Sequence, residues 1–246
     1  MSRSPITTAV ILAAGMGTRL EGVTGGQIPK GLLPIQGRSL VERSLDKLER
    51  QGVVRTIIVT GHLGHFYEEL ARRRPGVETV CNPDYADTGS MASLAVAAPR
   101  IDAPFLLLES DLIYEQRGLR LLQETNLDDA VLISGFTKSD DEVFIEVDGA
   151  RVAKMSKNRP DLGSVLGELS GLNKISPPLL SQMVELCRTN PMKQYHYEYA
   201  LTDASAIRPV GFVFCGDLVW AEIDDAQHLE RVERILLPRL NALGEE

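Results

Sequence analysis

Over the first 135 residues, apolar β-rich runs alternate with amphipathic helical runs. That rhythm permits few architectures other than a largely parallel sheet with helices on both faces. Thr8–Ala13 reads as a fully buried strand. A helix follows over Ser39–Gln51, where Ser39 and Glu42 form a capping box and Leu40, Val41, Leu45 and Leu48 an apolar stripe. Further strands are expected at Val53–Thr60, Val77–Cys81, Phe105–Leu108 and Ala130–Phe136, with helices at Phe66–Arg73 and Thr88–Ala98. In such a sheet ligands gather at the carboxyl ends of the strands.

From about Asp141 the pattern changes to short strands and turns, at Val143–Val147, Val152–Met155 and Val165–Ile175. It reads as a small antiparallel insertion, residues 141–206, over the first half of a single domain of residues 1–246. Helices are expected at Pro177–Arg188 and Tyr197–Ser205, strands at Val210–Cys215 and Trp220–Ile223. An amphipathic helix Ala226–Leu243 closes the chain with Leu229, Val232, Ile235, Leu236 and Leu240 inward.

Composition narrows the function. A formal charge of −8 argues against a general nucleic-acid binder, which needs a basic face. No apolar run approaches the roughly 20 residues that span a bilayer, so no membrane partner is expected. Three scattered cysteines, Cys81, Cys187 and Cys215, and no export signal over Met1–Thr8 fit a cytoplasmic location. His62 and His65 lack the companion ligands of a zinc site and read as an exposed turn.

The first strand runs directly into Gly15-Met16-Gly17-Thr18-Arg19, where small residues let main-chain N–H groups approach phosphate oxygens. Leu20 stands where a dinucleotide fingerprint has its third glycine, and no Gly-Lys-Ser/Thr of a P-loop follows. Arg19 and Lys30 supply charge instead. Asp111 ends a strand at the carboxyl edge of the sheet, and Glu222, Asp224 and Asp225 lie between a late strand and the last helix. Mg²⁺ takes one or two carboxylates plus phosphate oxygens, which two converging aspartates and a triphosphate provide.

The strings LAAGMGTRL and PKGLLPIQGRSLVERSL resemble the amino-terminal part of nucleotidyltransferases that activate phosphorylated small molecules with a nucleoside triphosphate. The resemblance implies a nucleotide-diphospho-sugar transferase-like fold: Rossmann-like α/β, a mixed, mainly parallel sheet flanked by helices. It assigns triphosphate binding to Gly15, Gly17 and Arg19, the reacting phosphates to Lys30, and Mg²⁺ to Asp111 and Asp224, with Asp225 as a cap or the alternative ligand. YADTGSMASL, ESDLIYE, Gly167-Glu168-x-x-Gly171 and WAEID narrow the resemblance to cytidylyltransferases acting on phosphocholine or 2-aminoethylphosphonate. It places Leu12, Ala13, Ala14, Met16, Thr18, Ser90, Met91 and Ala92 around CTP. For the zwitterionic acceptor the candidates are Lys157 (rather than Lys154) at the phosphonate or phosphate, and Glu168, Tyr195, Tyr197 and Glu198 at the ammonium. With a single tryptophan, Trp220, a multi-indole cage for a quaternary ammonium is not available, which favours the primary amine. The alternatives are a sugar-1-phosphate nucleotidyltransferase and a non-catalytic nucleotide-binding module. Apolar surface on the insertion makes a homodimer a further expectation.

Overall fold

The structure is a computed structural model that describes residues 5–139 and 142–245. Asp141, where the insertion is expected to begin, lies outside the described residues, as do residues 1–4. Thirteen strands are described: β1 Thr8–Ala13, β2 Pro34–Ile35, β3 Arg38–Ser39, β4 Arg55–Thr60, β5 Val77–Cys81, β6 Phe105–Glu109, β7 Leu112–Tyr114, β8 Ala130–Ser134, β9 Phe144–Asp148, β10 Arg151–Ser156, β11 Val165–Ile175, β12 Gly211–Cys215 and β13 Trp220–Glu222. Nine of them make one mixed sheet.

Its first half is parallel: β1 lies between β4 and β6, and β5 flanks β4. Strand alternation then builds two cores, since Val10 and Leu12 of β1 face one layer while Ala9, Ile11 and Ala13 face the other. The helix Leu40–Arg50 covers the second layer. Ser39 Oγ accepts from Glu42 N–H and the Glu42 side chain accepts from Ser39 N–H, so the expected capping box is present and fixes where the helix starts. Helices Ser90–Ala97, Pro177–Thr189 and Tyr197–Ser205 cover the other face.

The antiparallel strands do not lie over this sheet as expected; they continue it. β11 pairs along one edge with β9 and then β6, both antiparallel, and along the other with β8, which pairs in parallel with β12. The reason is burial: from Gly167 to Ile175 every residue of β11 is covered, which suits a central strand and not an exposed hairpin. The register with β8 slips around Gly171, whose φ of 74° is open to glycine at no steric cost.

The closing helix also departs from expectation. It runs as an α-helix Ala226–Arg231, a π-turn Val232–Leu236 and an α-helix Leu237–Ala242. Pro238 lacks an N–H and crowds the carbonyl four residues back, so the preceding turn widens. The change of phase leaves Ile235 52% exposed and turns Val232, Leu236, Leu237 and Leu240 onto a third core with Leu20, Leu33 and Ile223. Among the described residues, no helix is long and apolar enough to cross a membrane.

Candidate active site

The carboxyl ends of β1 and β6 open into a cleft of about 640 Å³. Every residue from Leu12 to Arg19 lines it. Gly17, at φ 63°, turns the chain from the glycine loop into a single 3₁₀ turn, Thr18–Leu20. Leu20 is fully buried and anchors that turn, while Arg19 stays largely outside and reaches Asp224 Oδ1 at 2.9 Å.

Lys30 enters from the other side. Pro29 is extended, and the next three residues form a second short turn in which Leu32 N–H donates to Pro29 C=O at 2.9 Å. Gly31 has to be glycine: a Cβ there would lie 2.7 Å from the Tyr67 hydroxyl and 2.9 Å from Ser110. Lys30 Nζ lies 2.5 Å from Asp111 Oδ2 and 3.8 Å from Glu222 Oε1, and it contacts Asp224 Oδ1. Burial works against its charge, but Asp111, Glu222 and Asp224 outweigh it and raise the pKa. The ammonium is therefore permanent near neutrality.

Two distant stretches supply these carboxylates, and main-chain bonds join them: Ser110 N–H donates to Leu12 C=O at 3.1 Å, and Ile223 N–H to Asp111 C=O at 3.0 Å. Ile223 points into the third core, so its neighbours Glu222 and Asp224 face the cleft. Asp225 faces away, its Oδ1 accepting from Gln227 N–H (2.8 Å) and His228 N–H (2.9 Å) as the helix cap. Of the two aspartates, it is Asp224 that lines the cleft. His228 backs it, taking Asp224 N–H on Nδ1 (3.2 Å) and reaching Ser139 C=O through Nε2 (2.8 Å).

Carboxylate oxygens of Glu109, Asp111 and Glu222 lie within 4.8 Å of one another. Burial first, then Asp111 and Glu198, pushes Glu109 up to about 8; burial, Asp111 and Glu109 push Glu222 well above the usual carboxylate range. Asp111 Oδ1 is buried with no hydrogen-bond partner among the described residues. Hard oxygen donors crowded at unfavourable charge, one of them unsatisfied, fit a divalent cation such as Mg²⁺.

Ser90, Lys157, Tyr197 and Glu198 also line the cleft. The Tyr197 hydroxyl donates to Glu109 Oε1. Burial, then Glu109 and Glu198, holds that phenol well above its ordinary pKa, so it stays a donor. Burial also raises Glu198, partly offset by His196 and Lys157.

Four expected residues lie elsewhere. Met91 is fully buried in the core, and Ala92 is not part of the lining; on the helix Ser90–Ala97 it is Ser90 and Ser93 that face the cleft. Tyr195 is buried with its hydroxyl on Asp203 at 2.6 Å. Glu168 is sealed on β11, and its carboxylate accepts from Thr137 N–H (2.9 and 3.0 Å) and Thr137 Oγ1 (2.8 Å), leaving no ammonium site. Lys154 is spent on Asp161 C=O at 2.8 Å. Conversely, Tyr67, Tyr85, Glu109 and His196 line the cleft without having been singled out for it, and Glu222 joins them from the acidic cluster noted in the sequence. Only Glu109 carried a signal, an acidic residue closing an otherwise apolar strand. His196 and Tyr85 reach the cleft through contacts far apart in sequence.

The fold agrees with comparisons to known proteins. Residues 9–135 match the MobA-like NTP transferase domain. The CMP-5'-(3-aminopropyl)phosphonate synthase of Streptomyces rubellomurinus is 30% identical over 232 residues, 88% of this chain and 37% of that one. The 2-aminoethylphosphonate cytidylyltransferase of Lancefieldella rimae is 31% identical over 113 residues, 46% of each chain. Among solved structures, the inositol-1-phosphate CTP transferase from T. maritima superposes with a TM-score of 0.83 at 20% identity, over 97% of this chain and 98% of that one, and shares the fold. The matched segments span about half the length, or less, of these curated relatives. On the match over its first half, the chain belongs to the MobA-like NTP transferase family.

Proposed function

We propose that this protein is a CTP-dependent cytidylyltransferase that transfers CMP to a small amino-bearing phosphonate or phosphate ester and releases pyrophosphate, with 2-aminoethylphosphonate the favoured acceptor and phosphocholine next. The observation that carries the reading is the position of Lys30. Its ammonium sits between Asp111 and Asp224 at the mouth of the glycine loop, in one cleft with Lys157 and Glu198. The names of the two curated relatives support the nucleotide and the amine.

In the reaction, an anionic oxygen of the acceptor attacks the α-phosphorus of CTP in line, a P–O–P bond forms, and the α–β phosphoanhydride bond breaks to release pyrophosphate. The attacking oxygen is ionised at neutral pH, so catalysis rests on alignment and charge. Lys30 and Arg19 neutralise the phosphates while the loop Gly15–Gly17 offers main-chain N–H groups to them. Lys157 holds the acceptor's anion. Glu198 pairs with its ammonium beside Tyr197 and Tyr199, which line the same cleft. Trp220 lies in the core and does not line the cleft, which supports a primary amine over a trimethylammonium. Asp111 and Asp224 would hold Mg²⁺, with Glu109 and Glu222 beside it; bound there, it would supply further positive charge to the triphosphate.

Pyrophosphate release measured with CTP, Mg²⁺ and each of 2-aminoethylphosphonate, phosphocholine, phosphoethanolamine, inositol-1-phosphate and glucose-1-phosphate tests the reading. Release with an amine-bearing acceptor is expected. Release only with a polyol or sugar phosphate would overturn the acceptor, and silence across the panel would favour a binding module without chemistry.

A further inference from the structure

The helices Ser90–Ala97 and Tyr197–Ser205 start at the same place and cap each other. A helix leaves its first N–H groups without partners inside the helix, and a side chain at its own start ordinarily takes one. Neither helix is capped in that way. Ser90 N–H donates to His196 Nδ1 at 3.3 Å, and Tyr197 N–H donates to Ser90 Oγ at 3.0 Å. Ser90 Oγ is also 3.3 Å from His196 Nδ1. Main-chain bonds flank this exchange: Gly89 N–H to Lys193 C=O at 3.0 Å, and Met91 N–H to Tyr195 C=O at 3.2 Å. The approach is so close that a Cβ on Gly89 would lie 2.3 Å from Tyr195 O.

The two helix starts are assigned to different ligands of the proposed site. All of Gly89, Ser90, Tyr197 and Glu198 line the one cleft; in the function proposed above, Ser90 serves the nucleotide and Tyr197 and Glu198 the acceptor. A shift of either start breaks hydrogen bonds that only the other start supplies. From this reciprocal capping we infer that Ser90 and His196 are positioning residues that couple the two subsites, so that nucleotide and acceptor strengthen each other's binding.

The inference rests on the substrates proposed above, and calorimetry on the whole chain separates the two. The affinity of α,β-methylene-CTP, which carries no cleavable α–β oxygen bridge, is measured with Mg²⁺ in the absence and presence of saturating 2-aminoethylphosphonate. Wild type is expected to bind the nucleotide about fivefold or more tightly with the acceptor present, within the ordinary range of site-to-site coupling, and the converse titration must give the same factor. His196→Ala is expected to bring the factor close to one. His196→Asn restores it, because Asn Oδ1 stands two bonds from Cβ as Nδ1 does, whereas His196→Gln, with its oxygen one bond further out, does not. A merely structural role would give no such Asn/Gln contrast at unchanged secondary structure by circular dichroism. Both ligands binding wild type with no mutual effect, or His196→Ala keeping the full factor, would overturn the coupling and leave the substrates standing. Failure of either ligand to bind wild type would overturn the substrate reading and the coupling with it.

Discussion

Lys30 Nζ and Asp224 Oδ1 are 194 positions apart in sequence and in direct contact in the fold. The contact joins the first turn after the glycine loop to the segment before the last helix, and Asp111 completes the pair from the middle of the chain. Loss of the lysine leaves buried carboxylates facing one another and takes away the charge nearest the proposed reacting phosphates. Lys30→Ala is expected to lower turnover ~100-fold or more, as removal of other preorganised electrostatic groups does. Steady-state pyrophosphate release gives the answer, and full turnover in the variant would remove Lys30 from the mechanism. Its raised pKa also fixes the pH behaviour. The stabilisation that Lys30 gains from its partners is complete below its unfolded value of 10.5 and is lost only as pH rises through the still higher folded value, so Lys30 contributes no slope between pH 6 and 9.

Neighbouring aspartates should behave oppositely. Asp224→Asn is expected to abolish measurable turnover with little loss of stability, because it keeps the shape of the buried side chain. Asp225→Ala removes the cap over Gln227 and His228 and should cost about 0.5–2 kcal/mol in urea unfolding while turnover persists. Chelation of divalent cations by EDTA is expected to silence wild type, with Mg²⁺ restoring it. Equal loss of turnover in both variants would contradict the assignment.

The two loop glycines separate folding from binding. Gly17 has φ 63°, and a Cβ there would sit 3.3 Å from Lys30 Cβ, so Gly17→Ala is expected to lose roughly 1–2 kcal/mol from the left-handed backbone alone. Gly15 has no such φ and nothing within 4 Å of an added Cβ. Gly15→Ala should melt like wild type and show its defect only as a raised KM for CTP. Thermal melts beside CTP titrations of the rate distinguish the two; a destabilised Gly15→Ala would refute the contrast.

Acid should weaken the start of the helix Leu40–Arg50. Burial tends to raise the Glu42 pKa, but hydrogen bonds from Ser39 Oγ (2.7 Å) and Ser39 N–H (3.0 Å) lower it on balance. A depressed carboxylate stabilises fully above its unfolded value near 4.5 and loses that contribution as pH falls through the folded value. Glu42→Gln is therefore expected to be less stable than wild type at pH 7, by a gap that narrows in acid as the carboxylate is protonated. Urea midpoints from pH 7 into acid check this, and a gap that widened in acid would reverse the sign.

The parallel half of the sheet was legible because its signals are local. The strand Thr8–Ala13, the capping box at Ser39 and Glu42, and Lys30 after Pro29 each depend on neighbours within a few positions. Asp111 and Asp224 were legible because a carboxylate at the end of an apolar strand is conspicuous. What failed depended on contacts distant in sequence. Glu168 follows Gly167 on β11 and looks available until Thr137 is seen to take its carboxylate. Tyr195 and Met91 sit among cleft residues in sequence, and only the phase of the packed elements turns them inward. Ile235 fitted the helical period until Pro238 altered it.

The hydrogen bond from Ile223 to Asp111 bears on how the protein is made. A ribosome delivers the glycine loop before Lys30 and Asp111, and the segment carrying Glu222 and Asp224 well after all of them. Until that last segment docks across Asp111, Lys30 has one of its carboxylate partners and the cleft lacks a wall. A growing chain thus displays the glycine loop long before the residues that close the cleft beside it are made.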